Sequence, residues 1–135
     1  MSYAKPRPRI DPLTAPFWEN ARRNILSLQV CTACGDKHLP PSPVCPKCLS
    51  SDQDWRPASG GGVLEAYGEF HRAYWNGFAD DLPYSSAIVR LDEGPLMATN
   101  LVGETSAAKV GAKVRVVFDV VADDLTLPRF ELTGD

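Results

Sequence analysis

The sequence predicts a mainly β protein: one short N-terminal helix, then a metal-stapled hairpin module, then a small five-stranded barrel. Three observations carry that class. All four cysteines fall in two Cys-x-x-Cys pairs within CTACGDKHLPPSPVCPKC, residues 31–48. After residue 62 apolar side chains recur mostly at every second position, the period of a strand with one covered face. Helical periodicity is confined to one stretch near residue 20.

A chain of 135 residues with 44% hydrophobic content is long enough for one ordinary domain, or for a small module joined to a compact barrel. No apolar run approaches the roughly 20 residues needed to cross a bilayer, so no membrane role is expected. The N-terminal MSYAKPRPRIDPL has charge but no apolar core and does not read as a secretory signal. A reducing, cytoplasmic location is therefore expected, which suits cysteines kept as thiolates. The net charge of −3 conceals an asymmetry. Residues 1–59 hold eight Lys or Arg against five Asp or Glu, whereas residues 60–135 hold six against twelve.

Residues 1–12 are basic and rich in proline, which forbids a regular helix and predicts an extended arm, either loose or docked on a partner subunit. A short helix follows, with Thr14 as its N-cap and Pro16 in the first turn, where a missing N–H costs nothing. Phe17, Trp18, Ala21 and Ile25 share one face. Two aromatics on so short a helix need a surface to cover, in this chain or in another subunit. Residues 1–25 thus form an arm and helix, 26–58 the hairpin module, and 59–135 the barrel.

Leu26–Val30 alternates and leads as a strand into the first cysteine pair. Each Cys-x-x-Cys turn aims two thiolates at one point, and two such turns make the four-sulfur geometry that a structural Zn²⁺ prefers. The sulfurs of Cys31, Cys34, Cys45 and Cys48 are the expected ligands, with no cysteine left over; two disulfides or free thiols are the alternative. Iron fits the same four-thiolate site. Gly35 follows the first pair where a positive φ is often needed, while Leu49 holds the equivalent place after the second, so that turn is expected to differ. Pro40, Pro41 and Pro43 stiffen the tip. His38 reads as a surface residue of the module.

Ser59-Gly60-Gly61-Gly62 reads as a linker. Beyond it Leu64, Ala66, Gly68 and Phe70 face one way, and Glu65, Tyr67, Glu69 and His71 the other. Ala87, Val89 and Leu91 alternate with Ile88 and Arg90, and Asp92-Glu93-Gly94-Pro95 is a turn, so residues 84–91 and 96–102 form a hairpin. Residues 107–111 are a helical or looped connection. Val114, Val116, Phe118 and Val120 line the next strand, and residues 125–132 make a last edge strand that tolerates Pro128. Five strands with one connection between the third and fourth match an OB-fold, although periodicity alone supports only a small barrel.

FWENARRNILSLQVCTACG, the tip PPSPVCPKC, and the later SSAIVRLDEGPLMATNLVG and KVGAKVRVVF resemble one family from about Phe17 to Leu132. It is the acyl-CoA-associated family, with a rubredoxin-like zinc ribbon and an OB-fold, long called domain of unknown function thirty-five. The resemblance implies a non-catalytic partner of thiolase-like enzymes: thiolases, acyltransferases, or the aldolases that shorten steroid side chains. It implies a hetero-oligomer with a thiolase-like subunit, acyl-CoA at or near the interface, and help in stabilising that subunit or holding the thioester. Leu49, where many relatives have glycine, and the proline-rich arm depart from the pattern.

Three functions compete on the residues. For a partner or CoA contact, the candidates are Phe17 and Trp18 on the helix, and His71, Arg72, Tyr74, Trp75 and Phe78, an aromatic-rich loop with one arginine. The plainer reading is that Phe70, Tyr74 and Trp75 cap the barrel and that the helix aromatics pack on this chain's own ribbon or barrel. Single-stranded nucleic-acid binding is the alternative, because ribbons and OB barrels both support it. The acidic second half, however, lacks the basic path that supplies non-specific affinity. Independent catalysis lacks an activated nucleophile: the cysteines are committed to metal, and neither histidine sits in a catalytic motif. A closed four-cysteine site also keeps no open position for substrate.

Overall fold

The computed structural model describes residues 7–71 and 84–134. One helix, α1 (Ala15–Arg22), precedes nine strands: β1 (Ser27–Cys31), β2 (Lys37–His38), β3 (Gln53–Pro57), β4 (Gly61–Phe70), β5 (Tyr84–Leu91), β6 (Leu96–Thr99), β7 (Leu101–Val102), β8 (Lys113–Ala122) and β9 (Leu125–Leu132). The mainly β expectation holds, with the helix, the ribbon and the OB-type sheet in the expected order. No helix among the described residues is long and apolar enough to cross a membrane.

The approach to α1 is capped one turn earlier than the sequence suggests. Thr14 makes no side-chain cap to the helix. Instead Asp11 Oδ1 accepts the Thr14 amide at 2.9 Å, and Thr14 Oγ1 accepts the Asp11 amide at 3.0 Å. This reciprocal pair satisfies two donors that the first turn cannot bond internally. The amide of Thr14 is the leading cause that holds the Asp11 carboxyl below its ordinary value.

The described part of the arm reaches the sheet through Arg7. Arg7 Nη1 donates to Asp124 Oδ1 at 3.3 Å, on the tip between β8 and β9. That hydrogen bond is the first cause of a lowered Asp124 pKa. A carboxyl depressed by folding contributes stability above its ordinary value and loses it as pH falls through the depressed one. Arg7→Ala is expected to raise the Asp124 midpoint toward the ordinary carboxylate range, read by carboxyl NMR titration. An unchanged midpoint would detach the arm from this tip.

The ribbon sheet is antiparallel with order β2-β1-β3. Its central strand is covered on both faces, so Ser27 and Gln29 are buried along with Leu28. Their polar groups are satisfied: Asn20 Nδ2 donates to Ser27 Oγ at 3.1 Å, and Gln29 Oε1 accepts the Ser42 amide at 2.8 Å. Leu26 and Leu28 belong to one buried cluster with Leu64, Val89, Leu91, Val114 and Phe130, so the ribbon's first strand shares the barrel's core.

The second sheet has order β6-β5-β4-β8-β9-β7. Its two end strands are consecutive in the chain, separated only by Asn100, so the sheet curls back on itself in OB fashion without a continuous closed ladder. Side chains bridge the seam. Asn100 Nδ2 donates to the Ser85 carbonyl at 2.5 Å, and Asn100 Oδ1 accepts Arg129 Nη1 at 3.0 Å. Ser85 Oγ both donates to the Leu101 carbonyl at 2.6 Å and accepts its amide at 2.8 Å. Strand β9 lies between β8 and β7 and is not a free edge; Pro128 sits opposite Phe118. The connection at 103–112 is turns without a helix.

Two bulges change the inward sets. A register shift between Leu64 and Ala66 reverses the phase of β4: Leu64 is buried, Ala66 and Gly68 are exposed, and Tyr67 packs on the core. A second shift, after Val120, buries Ala122; Val120 itself keeps the register of Val114 but is 62% exposed at the far end of the strand. An extra residue in one strand flips every side chain beyond it. Ala87, Val89 and Leu91 are buried as expected.

Gly60–Gly62 is not a loose linker. Gly61 and Gly62 open β4, and the Gly60 carbonyl accepts the Val116 amide at 2.7 Å. The 92–95 turn clamps the junction: Glu93 Oε2 accepts the Ser59 amide at 2.8 Å, and Ser59 Oγ donates to Asp92 Oδ2 at 2.9 Å.

Candidate metal centre and apolar groove

The two cysteine turns are built alike. The Gly35 amide donates to the Cys31 carbonyl and the Leu49 amide to the Cys45 carbonyl, both at 2.8 Å. The Cys31 amide donates to the Asp36 carbonyl at 2.9 Å, and the Cys45 amide to the Ser50 carbonyl at 2.8 Å. Gly35 has φ +80° and Leu49 φ +67°, so the second turn does not differ. The leucine accepts the left-handed conformation because the hydrogen-bonded turn leaves no other choice. That conformation costs an L-residue roughly 1–2 kcal/mol, and glycine gives back part of the gain as chain entropy. Leu49 is 72% exposed, so little packing opposes a change. Leu49→Gly is expected to stabilise the ribbon by about 0.5–1 kcal/mol in denaturant unfolding. A loss of stability would mean that its side chain packs on something.

The four sulfurs meet at one point. Cys31 and Cys48 Sγ are 3.5 Å apart and Cys34 and Cys45 Sγ 3.7 Å, with all four within 4.8 Å of one another. A tetrahedral ion with metal–sulfur bonds near 2.3 Å requires sulfur separations of about 3.8 Å, so the cluster fits. Cys31 and Cys45 are buried, while Cys34 and Cys48 face solvent. The Lys47 amide also reaches Cys45 Sγ at 3.4 Å. Amides of Cys34 and then Ala33 pull Cys31 down to about 7, against its desolvation. The Asp36 amide favours the Cys34 thiolate, yet desolvation and the crowded sulfurs push that thiol up to about 12. A cation among them removes that conflict.

His38 is not on the surface; it is 8% exposed. Its Nε2 lies 3.1 Å from Gln29 Oε1 and its Nδ1 3.3 Å from Asp36 Oδ2. With Gln53 Nε2 donating to the Ser42 carbonyl at 2.7 Å, these groups tie the proline tip to the ribbon strands. The alternation of LSLQV places Gln29 on a strand but gives no sign of the partner that buries it.

Phe17 and Trp18 stand edge to face with centroids 4.9 Å apart, and Phe17 lies 6.4 Å from Trp55. Phe17 also packs on the shared core. Both aromatics line an open, apolar groove of about 410 Å³ between α1, the ribbon tip and β6, whose other walls include Leu39, Pro40, Pro41, Leu96 and Met97. The sequence singles out the helix and the prolines but not Leu96 and Met97. His71 directly follows β4 with its side chain 72% exposed, 3.8 Å from Glu69, and is not among the described residues of that groove. Arg72, Tyr74, Trp75 and Phe78 lie outside the described residues.

Residues 18–53 match the rubredoxin-like zinc ribbon domain of ChsH2, and residues 55–119 its C-terminal OB-fold domain. The chain is 35% identical to a chain of a solved structure described as the Ltp2-ChsH2(DUF35) aldolase. The match has a TM-score of 0.84 and covers 93% of this chain and 98% of that one. It is also 38% identical over 128 residues to a probable enoyl-CoA hydratase alpha subunit of Thermomonospora curvata. That match takes in 93% of this chain but only 39% of the longer relative. A DUF35 protein of unknown function from Sulfolobus solfataricus shares the fold, with a TM-score of 0.66 at 18% identity over 90% of this chain and 85% of that one. Both halves of the chain and a relative matched end to end agree: this protein belongs to the ChsH2 family of DUF35 zinc-ribbon and OB-fold proteins.

Proposed function

We propose that this chain is a non-catalytic accessory subunit of a thiolase-like enzyme acting on acyl-CoA, with an aldolase as the first choice of partner. The observation that carries the reading is the end-to-end likeness to the ChsH2 chain of an aldolase. In this reading Cys31, Cys34, Cys45 and Cys48 bind Zn²⁺ as a closed structural site. The ion's work is to fix the ribbon tip against α1, and so to hold the groove beside Phe17 and Trp18. That groove, together with His71 and the following loop, is the contact surface for the partner or the CoA thioester. Aromatic side chains set in apolar pockets are the usual anchors of such contacts.

The test is co-expression with a thiolase-like protein encoded beside it. The two are expected to co-elute, and carbon–carbon cleavage of a β-hydroxyacyl-CoA is expected only from the pair. Turnover by the isolated chain at the pair's rate would overturn the reading. A second reading rests on the hydratase subunit, of which this chain spans 39% of the length. Here the same chain serves an enzyme that hydrates an enoyl-CoA, and assaying both reactions on the purified pair decides between them.

A further inference from the structure

Among the described residues, the main chain of the outer half of β4 is paired on one side only, although Thr105 reaches the Tyr67 hydroxyl. Strand β4 pairs with β8 only over Gly61–Val63, and Leu64 then bonds to Ala112 and Gly111. Past the bulge, residues 66–70 pair with β5 alone among the described residues. The direction of their main-chain groups follows from the seam. The Ser85 carbonyl is turned away from β4, toward Asn100 Nδ2. Ser85 lies opposite Glu69, so this is a non-hydrogen-bonded pair, and the N–H and C=O of Glu69 face the open side. By alternation those of Tyr67 do so as well. From Glu65 to His71 the edge carries neither lysine nor proline; its remaining guards against strand addition are the bulge at its inner end and the carboxylates of Glu65 and Glu69, which any partner must match. Ala66 and Gly68 are exposed and small, which leaves a low face on the strand.

We propose that this edge pairs antiparallel with the same edge of a second copy of the chain, about a twofold axis through Gly68. Charge and parity choose both the partner and the register. An axis through Gly68 sets Tyr67 opposite Glu69 of the other copy, twice over, and Glu65 opposite His71. Tyr67 and Glu69 are the residues whose main-chain groups point outward, so each such pair exchanges two N–H···O bonds. Within one chain Glu69 already accepts the Tyr67 hydroxyl at 2.9 Å and lies near His71, so these side chains are chemically matched. An axis through Tyr67 would set Glu65 against Glu69, and one through Glu69 would set that carboxylate against itself. Like charges directly opposite are destabilising. Axes between residues would oppose outward groups to inward ones. The pairing shares His71 with the proposed enzyme contact, so it is tested on the chain alone, without the enzyme partner.

Gly68→Cys tests it in the full-length, metal-loaded protein. A Cβ at Gly68 meets nothing within 4 Å, so the substitution fits. Facing residues of a non-hydrogen-bonded pair have Cα atoms about 4.5 Å apart, within disulfide range. Mild oxidation is expected to give a band of twice the chain mass for Gly68→Cys. Ala66→Cys, whose two copies would be offset by four residues, is expected to give none. Glu69→Pro removes one outward amide without touching the β5 ladder and is expected to shift the sedimenting species from dimer to single chain. Equal cross-linking at 66 and 68 would overturn the register. A wild-type protein that sediments as a single chain at high micromolar concentration would overturn the proposal itself.

Discussion

Cys31→Ser is expected to empty the metal site and to melt the ribbon, residues 27–57, rather than merely to weaken it. The ribbon has little apolar core of its own, and two of its strands have only two and five residues. What binds the turns together is the four-sulfur cluster, and a structural four-ligand zinc site supplies on the order of 10–16 kcal/mol at neutral pH. Losing one ligand leaves three thiolates and an open position, and Cys31 is one of the two buried sulfurs. The damage should not stop at the ribbon. Leu26 and Leu28 lie in the same buried cluster as Leu64, Val89 and Phe130. The Ala58 amide also donates to the Leu26 carbonyl at 2.7 Å. Elemental analysis should find one ion per chain in the wild type and almost none in the variant, and amide protection should vanish across β1–β3. Chelation of the wild type should reproduce both effects. A variant that kept its metal and its ribbon amides would refute the staple.

Local chemistry was the part most legible in the sequence. Two Cys-x-x-Cys turns converge because each is fixed by bonds within six residues, such as Gly35 to Cys31. The barrel strands follow from alternation, except that the expected 96–102 strand is broken at Asn100 into β6 and β7, giving six strands in place of five; the 92–95 turn sits where its Asp-Glu-Gly-Pro chemistry puts it. The misreadings share a cause, since each depends on a neighbour distant in sequence or on one inserted residue. Tyr67 turns to the core and Ala122 is buried because of bulges that leave no mark in an alternating string. His38 was taken for a surface residue because Gln29, nine positions away, supplies its burial and its hydrogen bond. Leu49 was expected to alter its turn, but the ladder of bonds around the metal overrode the residue's own preference. Asp11 rather than Thr14 anchors the helix approach, because Pro12 follows it and the turn closes earlier.

Gly62→Ala is expected to be among the most damaging single methyls that can be added to the barrel, because its obstacle is main chain. The three consecutive glycines look like flexibility, yet each is held by a different wall. A Cβ at Gly60 would meet Val116 Cγ1 at 2.8 Å, and one at Gly61 would meet Asp92 Oδ2 at 2.6 Å. The Asp92 carboxylate can turn aside; Val116 is stiffer, and Gly60 with φ +90° would add left-handed strain of its own. At Gly62 the obstacle is the Arg90 carbonyl at 2.5 Å, with Val89 Cγ1 at 2.8 Å behind it. A main-chain oxygen in a paired strand cannot move without breaking its ladder, and Val89 is fully buried. Relief must therefore come from parting β4 and β5, whose register fixes Gly62 opposite Leu91. Overpacking of this kind costs about 1–3 kcal/mol, and a backbone obstacle belongs at the upper end. For a chain of this length that corresponds to a fall in Tm of roughly 10 °C. Gly61→Ala is the internal comparison. Its methyl displaces only the Asp92 carboxylate, so it should cost the Ser59–Asp92 bond and a much smaller fall. If the two variants melted together, the close approach at Gly62 would not be what the triple glycine is for.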